Sequence, residues 1–379
     1  GFGDRPTSSA DPAPGLTLSP RIFTRDGRVV ASRSYPLDAA LPPHGRPEPA
    51  AADPENPGHF LIRRAHWASF FPERTLIAET GSVISLRVKN NLAQGHALQF
   101  LHAGPGGSHI GTGDIAPGGT ATLEFQAPQP GTYVYCDPGA DASDPKADPV
   151  QRILGLYGAL LVVDPDRAWK IGPAGPEFER QWLWILHNVD PEWARIASRG
   201  EEVDPVKTPF YSRYFTLNGR SGFQSLGISA DKEANLVRAE ETMMSGFPRK
   251  VDVRDFSQGA TGDTVRTGQL LRFINAGMVD HQLHFHGNHI WTVQKNGIMF
   301  PRTHGRVDPG GHVELQQWED VVELHTLERK DSILPFKRPP EVTDQVWNSR
   351  SVEWLYPMHC HAEASQVAMG GMYPGGLVG

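Results

Sequence analysis

The phrase Leu86-Arg87-Val88-Lys89-Asn90 returns as Leu271-Arg272-Phe273-Ile274-Asn275, and further echoes follow in the same order. "IAPGGTATLEF" from Ile115 answers "VDPGGHVELQQ" from Val307, and "GTYVYC" ending at Cys136 answers "WLYPMHC" ending at Cys360. The separations far exceed the roughly 20–50 residues of a solenoid repeat, so the pattern reads as a duplicated domain. A chain of 379 residues is also longer than one compact core usually holds. Around the echoed phrase, in "GSVISLRVKNN", Ile84, Leu86 and Val88 alternate with Ser85, Arg87 and Lys89, the period-two signature of a half-buried strand. Forty glycines and 33 prolines supply frequent turns. The fold class that follows is all-β, a pair of Greek-key β-sandwiches.

Composition places the boundaries. Residues 1–58 form an Ala/Pro-rich arm with little to bury, and strands are expected to begin near Phe60. The first sandwich is assigned to 59–165 and the second to 178–379, with the Pro/Gly-rich stretch 164–179 between them. The formal net charge is −7, from 36 Lys and Arg against 43 Asp and Glu, which offers no basic field to nucleic acid or anionic membrane. The longest apolar run, "ILGLYGALLVV" from Ile153, reads as a buried strand and falls short of the roughly 20 residues of a membrane span. No signal peptide is visible at "GFGDRPTSS". Two cysteines, Cys136 and Cys360, are too few for a disulfide framework.

Nine of the 16 histidines lie between His281 and His361. In "HQLHFHG", strand geometry sends His281 inward with Leu283 and Phe285, and His284 with His286 outward. The same rule sends Cys360 of "HCH" to one face and His359 with His361 to the other. If these segments are neighbouring strands, a thiolate and an imidazole meet inside, and four imidazoles meet outside. The inner pair is the beginning of a blue-copper site, and four imidazoles suit copper or zinc. A lone buried His or Cys is more often ordinary packing; six such residues with matching parity favour a metal.

At these residues the sequence resembles the multicopper oxidases, whose last cupredoxin domain carries H-P-x-H-L-H-G and H-C-H-x-x-x-H. "YFTLNGRSG" from Tyr214 and "LRFINAGMVDHQLHFHG" from Leu271 are similar to that domain's surroundings. The first half resembles a cupredoxin domain more weakly, including those of two-domain nitrite reductases. The resemblance implies two cupredoxin-like domains and copper as cofactor. It makes His281 and Cys360 type 1 ligands, where electrons enter. It makes His284, His286, His359 and His361 part of an oxygen-reducing type 2/type 3 cluster. It further implies a small-molecule or metal-ion reductant, O2 as partner, and a periplasmic or secreted location. Small two-domain oxidases also supply the expectation of a homotrimer with its cluster between subunits.

The sequence departs from the family pattern at definite positions. The second type 1 histidine, expected five residues after the cysteine, is Ser365, followed by Gln366; Met369 and Met372 offer sulfurs nearby. A full cluster needs four more histidines from the first half, but "HALQFLHAG" has Gln99 and Leu101, and "YCDPG" has Cys136 and Pro138. On the nitrite-reductase pattern His96 and Cys136 survive, with Gln151 and Leu156 in place of the other ligands. Two functions follow. The leading one is a copper-binding, multicopper-oxidase-like protein, read as a copper-dependent oxidoreductase with an incomplete ligand set. The alternative is a non-catalytic metal-binding or structural protein keeping one four-histidine site.

Overall fold

The computed structural model describes residues 75–163, 178–219, 268–287, 289–300, 317–334 and 357–367. It also describes the short stretches 16–23, 29–32, 51–52, 60–61, 306–307, 313–314, 345–346 and 376–377, with residues 171 and 343. The described chain is strand-rich and folds as two β-sandwiches. In the first, a four-stranded sheet containing Val83–Asn90 and Thr120–Gln126 faces a five-stranded sheet containing Gln99–Phe100, Gly131–Cys136 and Tyr157–Val163. Ile84, Leu86 and Val88 are fully buried while Arg87 and Lys89 are exposed, as the alternation requires. Their core partners across the sandwich are Phe100, Tyr133, Tyr135, Leu160 and Val162.

The second sandwich packs a seven-stranded sheet, built around Phe178–Val189, Gly268–Asn275 and Arg329–Leu334, on a three-stranded sheet. The smaller sheet is ordered Val321–Leu324, His281–Phe285, Met358–Cys360. Its inward residues Leu283, Phe285, Val322, Leu324, Met358 and Cys360 pack against Leu186, Phe215, Leu217, Leu271 and Phe273.

A third apolar layer joins the sandwiches. Leu101, Val134, Cys136, Tyr157, Ala159 and Leu161 of the first meet Leu183, Ile185, Ile274 and Ala276 of the second. Every residue of Gly131–Cys136 is therefore buried, one face in its own sandwich and the other in this layer. Buried polar groups cross the same boundary. The Thr132 hydroxyl donates to Asp331 at 2.5 Å and accepts from Arg272 Nη1 at 3.0 Å. Arg329 Nη1 donates to the Leu101 carbonyl at 3.0 Å, and Arg152 Nη1 to the carbonyls of Ala276 and Gly277. Such groups fix one relative arrangement, because a shift would leave buried donors without acceptors.

Two expectations are corrected. Strands begin at Leu16, well before Phe60: Leu16–Phe23 pairs antiparallel with all of Val83–Asn90, and Val29–Ser32 pairs with it in turn. The alternation Leu16, Leu18, Ile22 was hidden by flanking Ala and Pro. The run from Ile153 is not one strand either: Val150–Ile153 is a helical turn and the strand starts at Tyr157. Apart from Ile171, most of the stretch expected to separate the sandwiches, and both Met369 and Met372, lie outside the described residues.

Candidate metal centre

The strand His281–Phe285 runs antiparallel to both neighbours, with Leu283 opposite Cys360, His284 opposite His359 and Phe285 opposite Met358. Directly opposed residues share a face. His284 and His359 therefore lie on the outer face, and Leu283 and Cys360 on the inner one. The main chain continues this register beyond the strands: His286 N–H donates to Pro357 O at 3.0 Å, and His361 N–H to Gln282 O at 2.7 Å. All four outer imidazoles thus converge. His361 Nε2 is 2.8 Å from His284 Nδ1, and His359 Nε2 is 3.0 Å from His286 Nε2.

One ring declares which nitrogen it offers. His359 Nδ1 lies 3.2 Å from the Cys360 carbonyl, which can only accept, so Nδ1 carries a proton and Nε2 presents its lone pair. Asp320 Oδ2 stands 3.9 Å from His284 Nε2, on a bend whose carbonyl accepts from Phe285 N–H at 2.8 Å. The His284 pKa is lowered, first by partial burial and then by His361, His286 and His359, with Asp320 opposing. That of His359 is lowered too, chiefly by burial. Both shifts favour the neutral imidazole, the form that ligates a metal.

The outer donor set fits a transition metal. Ligand atoms of His284, His286 and His359 all lie within 4.8 Å of one another. Tetrahedral bonds of about 2.0–2.1 Å separate ligand nitrogens by about 3.3 Å, so the present pairs need open only slightly. His289 does not join them; its ring stacks on Trp318 at 5.4 Å.

The inner pair is also brought together, but it is poorer in donors. Cys360 Sγ lies 3.5 Å from His281 Nδ1, and both residues are fully buried. Burial pushes the His281 pKa down to about 4. Ser365, buried nearby in sequence, gives its hydroxyl to the Ala362 carbonyl at 2.8 Å. Leu377 packs in the same core as Cys360 and accepts the Cys360 N–H at 3.1 Å. That segment passes so close that a Cβ on Gly376 would lie 1.5 Å from the Ser365 carbonyl oxygen. Among the described residues, no third thiolate, imidazole or carboxylate forms a metal-binding group with this pair. A type 1 copper is held by a cysteine and two histidines with a weak axial ligand, and the described residues bring two of these donors together.

The first sandwich shows what replaces ligands there. Tyr135 pairs with Phe100 and Cys136 with Gln99. Gln99 is the counterpart of His284, so Cys136 holds the position of His359, one residue out of step with the sequence echo that aligned it with Cys360. Asp137 then takes the place of Cys360. The structure bears this out in atoms: His96 Nδ1 meets Asp137 Oδ2 at 2.7 Å, as His281 Nδ1 meets Cys360 Sγ. Gln99 Nε2 donates to the Ala142 carbonyl at 2.8 Å, and Leu101 is buried in the layer between the sandwiches. Burial raises the Cys136 thiol to about 12.

Sequence reasoning missed Asn188 and Asp320, which touch His281 and approach His284. Neither sits in a recognisable motif, and only the assembled sheets bring them near.

No protein-family model matches the chain, and neither does any curated protein. Among solved structures it is similar to the blue copper oxidase of Nitrosomonas europaea, with TM-score 0.51 and 19% identity over 80% of this chain and 74% of that one. It is also similar to the multicopper oxidase mgLAC, with TM-score 0.48 and 17% identity over 80% and 74% of the two chains. A further multicopper oxidase gives TM-score 0.45 and 17% identity over 81% and 77%. The first of these likenesses identifies the fold as cupredoxin-like.

Proposed function

We propose that this chain is a copper-binding protein that holds one transition-metal ion on the outer face of its second sandwich, through His284, His286, His359 and His361. The grouping of His284, His286 and His359, with His361 Nε2 2.8 Å from His284 Nδ1, carries the reading. Copper is favoured over zinc because a nitrogen donor set binds Cu(II) more tightly in the Irving–Williams order. Bound copper would supply one-electron redox chemistry. His359 presents Nε2 because its Nδ1 is committed to the Cys360 carbonyl. Cys360 is joined through the main chain to two of these ligands, and with His281 forms the buried layer beneath them.

Under this reading a small-molecule or metal-ion reductant meets the outer face, where His286 and His361 are exposed. Efficient four-electron reduction of oxygen is not part of it. Four imidazoles satisfy one ion fully, because metal sites typically take three or four protein ligands each. The first sandwich offers Gln99, Leu101 and Cys136 at the corresponding positions. A homotrimer would only repeat these residues. The same substitutions favour a second reading, a binding or structural protein with a single metal and no turnover.

Two assays separate these readings. Copper loading followed by spin resonance should show nitrogen-ligated Cu(II) at about one ion per chain. Oxygen uptake with a phenolic or metal-ion reductant then distinguishes a slow oxidoreductase from a pure binder. Failure to retain copper after desalting would refute both.

A further inference from the structure

Beneath the outer face, the orientation of one amide decides the state of the inner pair. Asn188, at the end of the Phe178–Val189 strand, is fully buried, as is His281. Its Oδ1 accepts from the main-chain N–H groups of Met278 and Val279 at 2.9 and 3.1 Å. Turning the amide over would set its NH2 against these two donors. The loop also closes tightly on that oxygen: a Cβ on Gly277 would lie 1.9 Å from Oδ1. Nδ2 must therefore point the other way, and there it lies 3.3 Å from His281 Nε2.

An amide NH2 can only donate. His281 Nε2 must then accept, which places the ring proton of a neutral imidazole on Nδ1. The opposite tautomer would face two buried donors at each other and leave both without an acceptor. Nδ1 is the nitrogen 3.5 Å from Cys360 Sγ, and the same sulfur receives the Gln282 N–H at 3.4 Å. The sulfur thus sits as acceptor between two N–H donors.

We infer that Asn188 holds His281 as its Nδ1–H tautomer, so that Cys360 and His281 form a closed N–H···S pair and not a copper site. Copper on that pair would need the Nδ1 lone pair. The displaced proton would have to move to Nε2 against Asn188 or leave an imidazolate behind. Asn188 is thereby a positioning residue. The inference deepens the function proposed above, since it leaves the outer face as the place where metal binds, but the tautomer stands independently of whether that face is loaded.

The test is nitrogen-15 NMR of the full metal-free chain labelled in histidine, with the copper-loaded visible spectrum as a second readout. His281 should show protonated Nδ1 and unprotonated Nε2, and copper loading should produce no intense thiolate-to-copper band. In Asn188→Asp, where the new carboxylate keeps the Met278 and Val279 bonds and can accept Nε2–H, the tautomer should reverse. An Nε2–H tautomer in the wild type, or an intense thiolate-to-copper band, would overturn the inference. Should Asn188→Asp fail to fold, the two wild-type measurements still decide. Absence of copper uptake altogether would refute the outer metal site while leaving the tautomer measurement to stand or fall alone.

Discussion

The two sandwiches carry the same three-residue ladder and use its outer face in opposite ways. In the second, His284, His286 and His359 stand on a face that reaches solvent. In the first, the equivalent positions are Gln99, Leu101 and Cys136, and Leu101 and Cys136 lie beneath Leu183, Ile185, Ile274 and Ala276. Covering explains the residue types. A buried imidazole without a partner is costly, whereas a leucine and a protonated thiol gain from leaving water. The inner positions diverge as well, to a His96–Asp137 hydrogen bond in one sandwich and a His281–Cys360 contact in the other. One ladder serves as packing surface and the other, under the proposed function, as a ligand platform, and the two differ in burial.

Acid is the strongest way to break the covered side. His187 lies in that boundary, its ring 4.6 Å from Tyr157 and Nε2 3.1 Å from the Ile153 carbonyl. Burial, with Arg152 assisting, lowers its pKa to about 3. The unfolded chain protonates it near pH 6.5, so its contribution is complete above that pH and is lost as pH falls toward 3. The full loss from this group is about 5 kcal/mol. Urea unfolding across pH 7 to pH 3.5 should show a steep fall in stability, and a flat profile would break the account of this boundary.

A single substitution should do slightly less. His96→Ala leaves the buried Asp137 carboxylate, among the described residues, with the Gly139 N–H at 2.9 Å as its remaining partner, at a cost of about 3 kcal/mol. Loss of less than about 1 kcal/mol in urea titration would show that the pair is dispensable. Smaller again is Leu101→His, which rebuilds a ligand-type residue on the covered face. It should destabilise by about 2 kcal/mol through burial of a polar ring, without adding bound copper. A gain of copper there would mean that the two faces differ by residue identity alone and not by burial.

Much of this contrast was legible in the sequence because strand parity is rigid. Once "HQLHFHG" and "HCH" are strands, the sorting of His281 and Cys360 from the four outer histidines follows from period two alone, and the paired register agrees with it. The alternation of Ile84, Leu86 and Val88 was equally plain. Other features depend on contacts distant in sequence. Cys136 was matched to Cys360 by similarity of phrase and to an H-x-H histidine by motif, and the pairing with Gln99 agrees with the second, because a one-residue slip exchanges the faces. Asn188 could not be read at all, since its role exists only when a strand end meets the 276–280 loop. Leu16–Phe23 escaped notice because Ala and Pro flank it and Pro20 interrupts its apolar alternation.

The central claim is that one metal ion is bound, on the outer face of the second sandwich, and its most direct test is copper stoichiometry in the full chain. Wild-type protein should retain about one copper per chain after desalting. Cys360→Ser should retain the same, and His286→Ala combined with His361→Ala should retain none. Unchanged copper in the double variant, or about four coppers per chain with oxygen turnover at ordinary oxidase rates, would contradict the account.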